Sequence, residues 1–399
     1  MKVCLVGSLV SFAAFDEIVK KSKSKPSNAP ENFQMMLAKG FVQNGVDVTA
    51  LSFPTMASFP NGAALICHPT TEKIMDGVVA HHQFMINAQG FKQLTIFVST
   101  FLSVRRWLKK NQNEKLIVAL YSDYPPYATA ARLACKKNRV KTVLVMTDLP
   151  TYKSSHHSMS PYTLFMNAMD TRREKNYRKF DGYIVLTKHM ISAMEIGDKP
   201  CVVVEGFSDP SAFEGIETHK EARKTIMYAG ALSNVHNIKK LIDGFMATDI
   251  DADLLIFGDG DQREYVQEAT KRDARIKYRG KVNRNELLQA QKNSHVLVSV
   301  KSTEDEHTLY AFPSKILEYL TSGTAVLTTK VGGIPDAYFD CMYTIDDESI
   351  EGIAAAITRC LQVSEECLVQ MGEKGYRFAS EYKNTMVQGK CIVDFLETI

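Results

Sequence analysis

The chain has 399 residues, 45% of them hydrophobic and 23% charged, with a formal net charge of +3. Those totals fit a globular protein of two or three domains and exclude a disordered, fibrous or bilayer-spanning class. The eight cysteines lie singly, with no C-x-x-C pair and no Cys/His cluster at metal-ligand spacing, which argues against a zinc site or disulfide framework and for a reducing cytoplasmic setting.

KVCLVGS at the start reads as a first buried strand and not as a leader peptide, because no small-residue cleavage site follows and the next stretch is rich in lysine. Residues 20–32 are polar and proline-containing and read as a loop. ENFQMMLAKGFVQNG predicts a helix and VDVTALSF a strand, whereas residues 54–92 read as an insertion of short elements. FLSVRRWLKKNQ, residues 101–112, sets Arg105, Arg106, Lys109 and Lys110 beside Trp107. It is either a core-packed helix with a solvated basic face or an interfacial helix on a membrane. LIVALYS, VKTVLVMT and GYIVLT are apolar runs of the kind found in parallel strands buried on both faces, with PPYATAARLACKKN as a helix between the first two. Residues 1–200 carry a net +12 and residues 201–399 a net −9. A basic first half suits an anionic membrane surface or a phosphate-bearing substrate. No nucleic-acid motif accompanies it, so no nucleic-acid partner is expected.

The halves join near CVVVEGFSDP, residues 201–210, and the alternation then restarts. TIMYAGAL, DLLIFGDGD, RIKYRGKV, HVLVSV and TAVLTT read as strands, each separated from the next by a helical stretch, and terminal helices follow. The expected fold is α/β, with two Rossmann-like doubly wound domains facing a cleft and ligands held beyond the carboxyl ends of the strands.

The most informative stretch is FPSKILEYLTSGTAVLTT, Phe312 to Thr329. Pro313 suits a first helical position, and Phe312 is a poor cap. The N–H groups of Ser314, Lys315 and Ile316 are therefore left without a side-chain partner, while Lys315 and Glu318 share a helix face. This suits a ligand carrying both phosphate and hydroxyl groups, such as a nucleotide diphosphate; the alternative is a capped helix with a surface ion pair. Gly258 in GDGD is either a site of close backbone approach to a ligand or a plain turn. The D-x-D patterns at 251–253 and 259–261 flank one strand of the repeat and are not read as a metal site. Asp148 ends the run VKTVLVM and is either an active-site carboxylate or a turn residue before Pro150.

The ordered set YAGAL with HNIKKLIDGF, LLIFGDGD, IKYRGKV, FPSKILEYLTSGTAVLTT and VGGIPD, over roughly residues 200–380, resembles glycosyltransferase family 4, the group 1 type retaining enzymes of the GT-B fold. TDLP and FDGYIVLTKHM in the first half resemble it more weakly. The resemblance implies an acceptor-binding domain over 1–200, a nucleotide-sugar domain over 201–380, and a helix over 381–399 crossing back to the first domain. It also implies sugar transfer from a nucleotide diphosphate donor, UDP-sugar favoured, to a hydroxyl of a saccharide or lipid-linked acceptor. Configuration would be retained, with no metal and no cofactor.

By the same resemblance Asp148, Lys315 and Glu318 carry catalysis. Gly230, His236, Gly258, Arg279, Val282, Tyr310, Ala311, Phe312, Pro313 and Ser314 join Lys315 and Glu318 around the donor, and Gly7, Ser8, Asn32 and His156 meet the acceptor. The chain departs from the pattern at Tyr310, where the family carries a first glutamate, and at Ala231 and His236, where it carries cations. The implied setting is bacterial surface-polysaccharide or glycoconjugate synthesis at the cytoplasmic face of the inner membrane. The other readings are a non-catalytic sugar-nucleotide-binding partner protein and a GT-B sugar-nucleotide epimerase.

Overall fold

The computed structural model describes residues 1–26, 29–149 and 176–399. They form two compact units, residues 1–207 with 385–399, and residues 208–384.

The first unit is built on β1 (Lys2–Gly7), β2 (Asp47–Ser52), β4 (Thr70–Met75), β5 (Val78–His82), β7 (Leu116–Tyr121), β8 (Lys141–Met146), β9 (Gly182–Val185) and β10 (Cys201–Val203). Their order in the sheet is β10-β9-β8-β7-β1-β2-β5-β4, parallel except for β4 on β5. The central β1 pairs Val3 with Val48 on one side and with Ile117 on the other. It is covered on both faces, which is why its sequence is a continuous apolar run. A separate antiparallel ribbon joins β3 (Ile66–Cys67) and β6 (Met85–Ile86).

Three sequence expectations change. A helix, Phe12–Lys21, follows β1, started by Ser11, whose Oγ accepts the Ala14 N–H at 3.1 Å. The loop expected from residue 20 therefore begins only after it. Segment 54–92 is more than an insertion, since β5 and β4 extend the main sheet. The basic helix runs over Phe91–Lys110, and Trp107 is 7% exposed, so its indole belongs to the core.

The helix Thr385–Thr398 lies against the helix Ala29–Gln43. A Cβ on Gly389 would fall 2.6 Å from the Gly40 carbonyl oxygen, and one on Gly40 would fall 2.7 Å from that of Thr385. The two backbones therefore meet where neither carries a side chain. Ile392, Val393 and Leu396 enter the same core as Leu5 and Phe41.

The second unit holds β11 (Lys224–Ala229), β12 (Ala252–Phe257), β13 (Ile276–Gly280), β14 (Val296–Ser299), β15 (Ala325–Thr329) and β16 (Tyr343–Ile345). The order is β13-β12-β11-β14-β15-β16 and every pair is parallel. From β11 the chain builds outward through β12 and β13, then returns to the other side of β11 with β14. The carboxyl ends of β11 and β14 therefore mark a topological switch point, the place where such sheets open a crevice. Ile238, Leu241 and Phe245 of the helix Ile238–Met246 pack into the core with Ile226, Leu254 and Val296. β16 and the helix Ile350–Gln362 are additions to the expected elements.

Candidate functional site

At the switch point the loop after β11 is fastened to the loop after β12. The Gly230 N–H donates to the Phe257 carbonyl at 3.0 Å, Leu232 N–H to Asp259 O at 3.0 Å, and Gln262 N–H to Leu232 O at 2.9 Å. Gly258 has φ of 127°, and a Cβ there would lie 1.8 Å from the Gly230 oxygen. Only glycine fits this conformation at this approach.

The helix that carries the phosphate-and-hydroxyl expectation spans Lys315–Thr321. It begins two residues after Pro313, so the proline precedes the helix and does not occupy its first position. No side chain caps it, but Ile316 N–H donates to the Pro313 carbonyl at 2.8 Å, so one of the three N–H groups expected to be open is closed by backbone. Tyr319, fully buried, accepts the Ala229 N–H at 3.0 Å and donates to the Ala229 carbonyl at 3.2 Å, tying the helix to the end of β11. Lys315 Nζ donates to the same carbonyl, and its Cε lies 3.3 Å from where a Cβ on Gly230 would sit. Burial pulls the Lys315 ammonium below the ordinary lysine range; Glu318 opposes that and Lys301 reinforces it. Glu318 Oε1 accepts from Gln291 Nε2 at 2.7 Å, and Oε2 lies 3.7 Å from Arg284 Nη1, so its carboxylate is oriented from the helix Arg284–Asn293.

His236 ends the short 3₁₀ turn Asn234–His236, with Nδ1 2.8 Å from Ser233 Oγ. Burial first, then the ammoniums of Lys301 and Lys315, push its imidazole down to about 4. It is therefore neutral at physiological pH and marks a locally cationic environment.

Lys301 was not among the residues expected from sequence. It lies two residues beyond the end of β14, and its backbone is fixed on both sides by Thr329, whose Oγ1 accepts the Lys301 N–H at 3.0 Å and donates to the Lys301 carbonyl at 2.7 Å. Burial lowers its ammonium, with Asp305 opposing. The signal was present in HVLVSVK, a cation set at the carboxyl end of a buried strand.

The remaining expected donor residues are dispersed. Tyr310 donates to Glu306 Oε1 at 3.1 Å along the short helix His307–Tyr310. Phe312 is buried at 5% exposure against Tyr338, ring centroids 5.3 Å apart, so its side chain serves the core and does not border a ligand. Pro313 is also buried, Ala311 and Val282 are half-buried, and Arg279 and Ser314 are exposed.

The first unit gathers its own polar cluster beyond β1, β7 and β8. A Cβ on Gly7 would meet Gln34 Oε1 at 2.0 Å. That same oxygen accepts the Ser8 N–H at 2.9 Å, and Ser8 Oγ donates to Glu31 Oε1 at 3.2 Å. Glu31, also missed by sequence reading, is 2% exposed; burial raises its carboxyl, and hydrogen bonds from Thr55 and Ser8 oppose that. Its Oε2, and Oδ1 of Asn32, have no partner among the described residues. Tyr121, its hydroxyl 3.5 Å from Thr147 Oγ1, feels both Asp148 and Glu31, which draws Asp148 into the neighbourhood of Ser8. His156 lies outside the described residues. Among the described residues no group of three or more His, Cys, Asp or Glu side chains is placed to hold a metal ion.

The chain is similar across its whole length to several solved structures. The E. coli trehalose-6-phosphate protein bound with UDP-2-fluoro glucose has a TM-score of 0.69 at 8% identity, covering 100% of this chain and 99% of that one. Sucrose-phosphate synthase from Thermosynechococcus elongatus has a TM-score of 0.65 at 13% identity, covering 100% and 99%. Anabaena HepE in complex with UDP-glucose has a TM-score of 0.62 at 14% identity, covering 100% of both. No functionally curated protein matches the chain in sequence. These likenesses establish a GT-B fold. Residues 223–363, which include β11 to β16 and both lysines of the switch point, match the family described as glycosyl transferases group 1. The chain thus has a GT-B fold, and its residues 223–363 are similar to the group 1 glycosyl transferases.

Proposed function

We propose that this protein transfers a sugar from a nucleotide diphosphate donor, a UDP-sugar by preference, to a hydroxyl of a saccharide or lipid-linked acceptor. The observation that carries this reading is the group 1 likeness of residues 223–363 with Lys315 and Glu318 on one helix face at the switch point, the ammonium towards Gly230 and the carboxylate held by Gln291. The acceptor oxygen forms its bond to the anomeric carbon as the bond from that carbon to the diphosphate oxygen breaks. The hydroxyl proton leaves with the diphosphate, and configuration is retained. Negative charge grows on the leaving group, and a preorganised ammonium such as Lys315 stabilises it most where water is excluded. Glu318 accepts hydrogen bonds from the donor ribose. The structural neighbours described with UDP, UDP-glucose or a UDP-glucose analogue support the uridine choice. In the first unit, Gly7, Ser8 and Asn32 are the proposed acceptor side, and Asp148 is the proposed catalytic carboxylate.

A membrane-borne acceptor fits the helix Phe91–Lys110. Phe91, Leu94, Val98 and Leu102 form an exposed apolar stripe at spacings of three and four residues. At its end lies a groove of about 990 Å³ lined by Arg105, Arg106, Lys109, Lys115, Lys137 and Lys141. This is the arrangement of a helix resting on an anionic lipid surface. No helix among the described residues is long and apolar enough to cross a membrane. Peripheral attachment at the cytoplasmic face, in surface-polysaccharide or glycoconjugate synthesis, is the setting we infer.

The test is a thermal-shift screen against UDP, GDP, ADP and their sugar conjugates. One nucleotide should raise the melting temperature, Glu318→Ala should abolish the rise, and the preferred donor should be slowly hydrolysed without acceptor. A rise without hydrolysis would favour a non-catalytic binding protein, and no rise with any nucleotide would sink the reading.

A further inference from the structure

The two cations that the resemblance led one to expect near the first strand of this domain are replaced here by Ala231 and a neutral His236, so the proposed donor site lacks both of those charges on that side. Directly across the switch point stands Lys301. β11 and β14 are adjacent strands, paired at Ile226 with Val296 and Met227 with Leu297. Gly230 leaves the first and Lys301 the second. We propose that Lys301 is the second cation of the diphosphate site, so that the donor's phosphates are held between Lys301 from just beyond β14 and Lys315 from the helix Lys315–Thr321. This rests on the donor-site reading above.

Three observations carry it. The first is placement. Lys301 is pinned by two hydrogen bonds to the fully buried Thr329, so the root of its side chain is preorganised and not a wandering surface lysine. The second is unmet charge. Among the described residues neither Lys301 nor Lys315 has a carboxylate within ion-pair distance, and Lys301 Nζ makes no hydrogen bond. Asp305 and Glu318 act on them only from farther off. The third is mutual repulsion. Lys301, Lys315 and His236 lie close enough that each lysine disfavours charge on the histidine, and Lys301 disfavours it on Lys315. Two half-buried ammoniums held near one another cost free energy in the empty protein, and a dianionic group between them removes that cost. A lysine acts on phosphate as a point charge and needs no bidentate geometry, so a shift of its root from the loop after β11 to just beyond β14 preserves its use.

The experiment is calorimetric titration of the full chain with UDP, GDP and ADP, and with the monophosphate of whichever binds. Lys301→Met keeps the stem and removes the charge. Loss of a charged hydrogen bond of about 1.5–3 kcal/mol predicts a diphosphate affinity roughly ten- to a hundredfold weaker. The monophosphate should lose far less, and Lys301→Arg should restore most of the difference. A merely structural role would weaken both ligands alike. As a measurement that needs no variant, the bound diphosphate should protect Lys301 of the wild-type protein from an amine-acylating reagent. Unchanged diphosphate affinity in Lys301→Met, or unprotected Lys301, overturns this assignment and leaves the donor site standing. Failure of every nucleotide to bind the wild type overturns both.

Discussion

His236 shows how a single residue reports the field around it. Its imidazole titrates near 4 in the folded chain against about 6.5 when unfolded. The folded state therefore resists protonation. Stability from this group is complete above about pH 6.5 and is lost as pH falls towards 4, because the unfolded chain takes the proton first. Denaturant midpoints compared between pH 7 and pH 5 should fall less for His236→Gln than for the wild type. Gly258 is a second residue-level test. With φ at 127° and the Gly230 oxygen 1.8 Å from any Cβ, Gly258→Ala should destabilise the second unit by about 2–4 kcal/mol in chemical denaturation. At this scale the sequence was partly legible. Lys315 and Glu318 were found from helical spacing. Glu31 and Lys301 were not, because one is an ordinary-looking first-turn acid and the other a strand-end lysine; their significance lies in burial and in neighbours distant along the chain.

At the scale of elements, the strands of both sheets were readable because parallel strands buried on both faces are apolar without interruption, and the helices between them carry their own periodicity. Less was visible where that rule weakens. β4, with no fully buried residue, sits at the sheet edge, so the stretch around it read as irregular. The helix Phe12–Lys21 was hidden because its apolar residues continue those of β1. The helix Lys315–Thr321 depends on one tyrosine. Tyr319→Phe removes both bonds to Ala229 and leaves a buried N–H unpaired, which should cost about 1–3 kcal/mol and loosen Lys315 with it. Nucleotide affinity should fall alongside the melting temperature. For the helix Phe91–Lys110, Leu94→Glu with Val98→Glu should abolish sedimentation with anionic vesicles and leave the fold intact, since both side chains are exposed. Binding unchanged by this pair would remove the membrane-surface reading of the stripe.

On the scale of the whole molecule, the two sheets repeat one plan with different chemistry at their carboxyl ends. The second presents two ammoniums and a neutral imidazole; the first presents Ser8, Glu31, Tyr121 and Asp148. The plan was legible as alternation; the division of chemistry was not, because the net charges of +12 and −9 run opposite to the groups at the strand ends, the basic half presenting Glu31 and Asp148 and the acidic half the two lysines. The break falls at residue 207, inside the stretch 201–210 where the halves were expected to join, and residues 385–399 belong with the first unit. That return has a consequence for how the protein is made. The first unit's core includes Ile392, Val393 and Leu396, so a ribosome that has finished residue 207 has released a sheet whose flank beside Gly40 is still bare. All of residues 208–384 must emerge before the covering helix arrives. For that interval the nascent first unit carries an open apolar groove, and the second unit is the first that can close its core from its own residues alone.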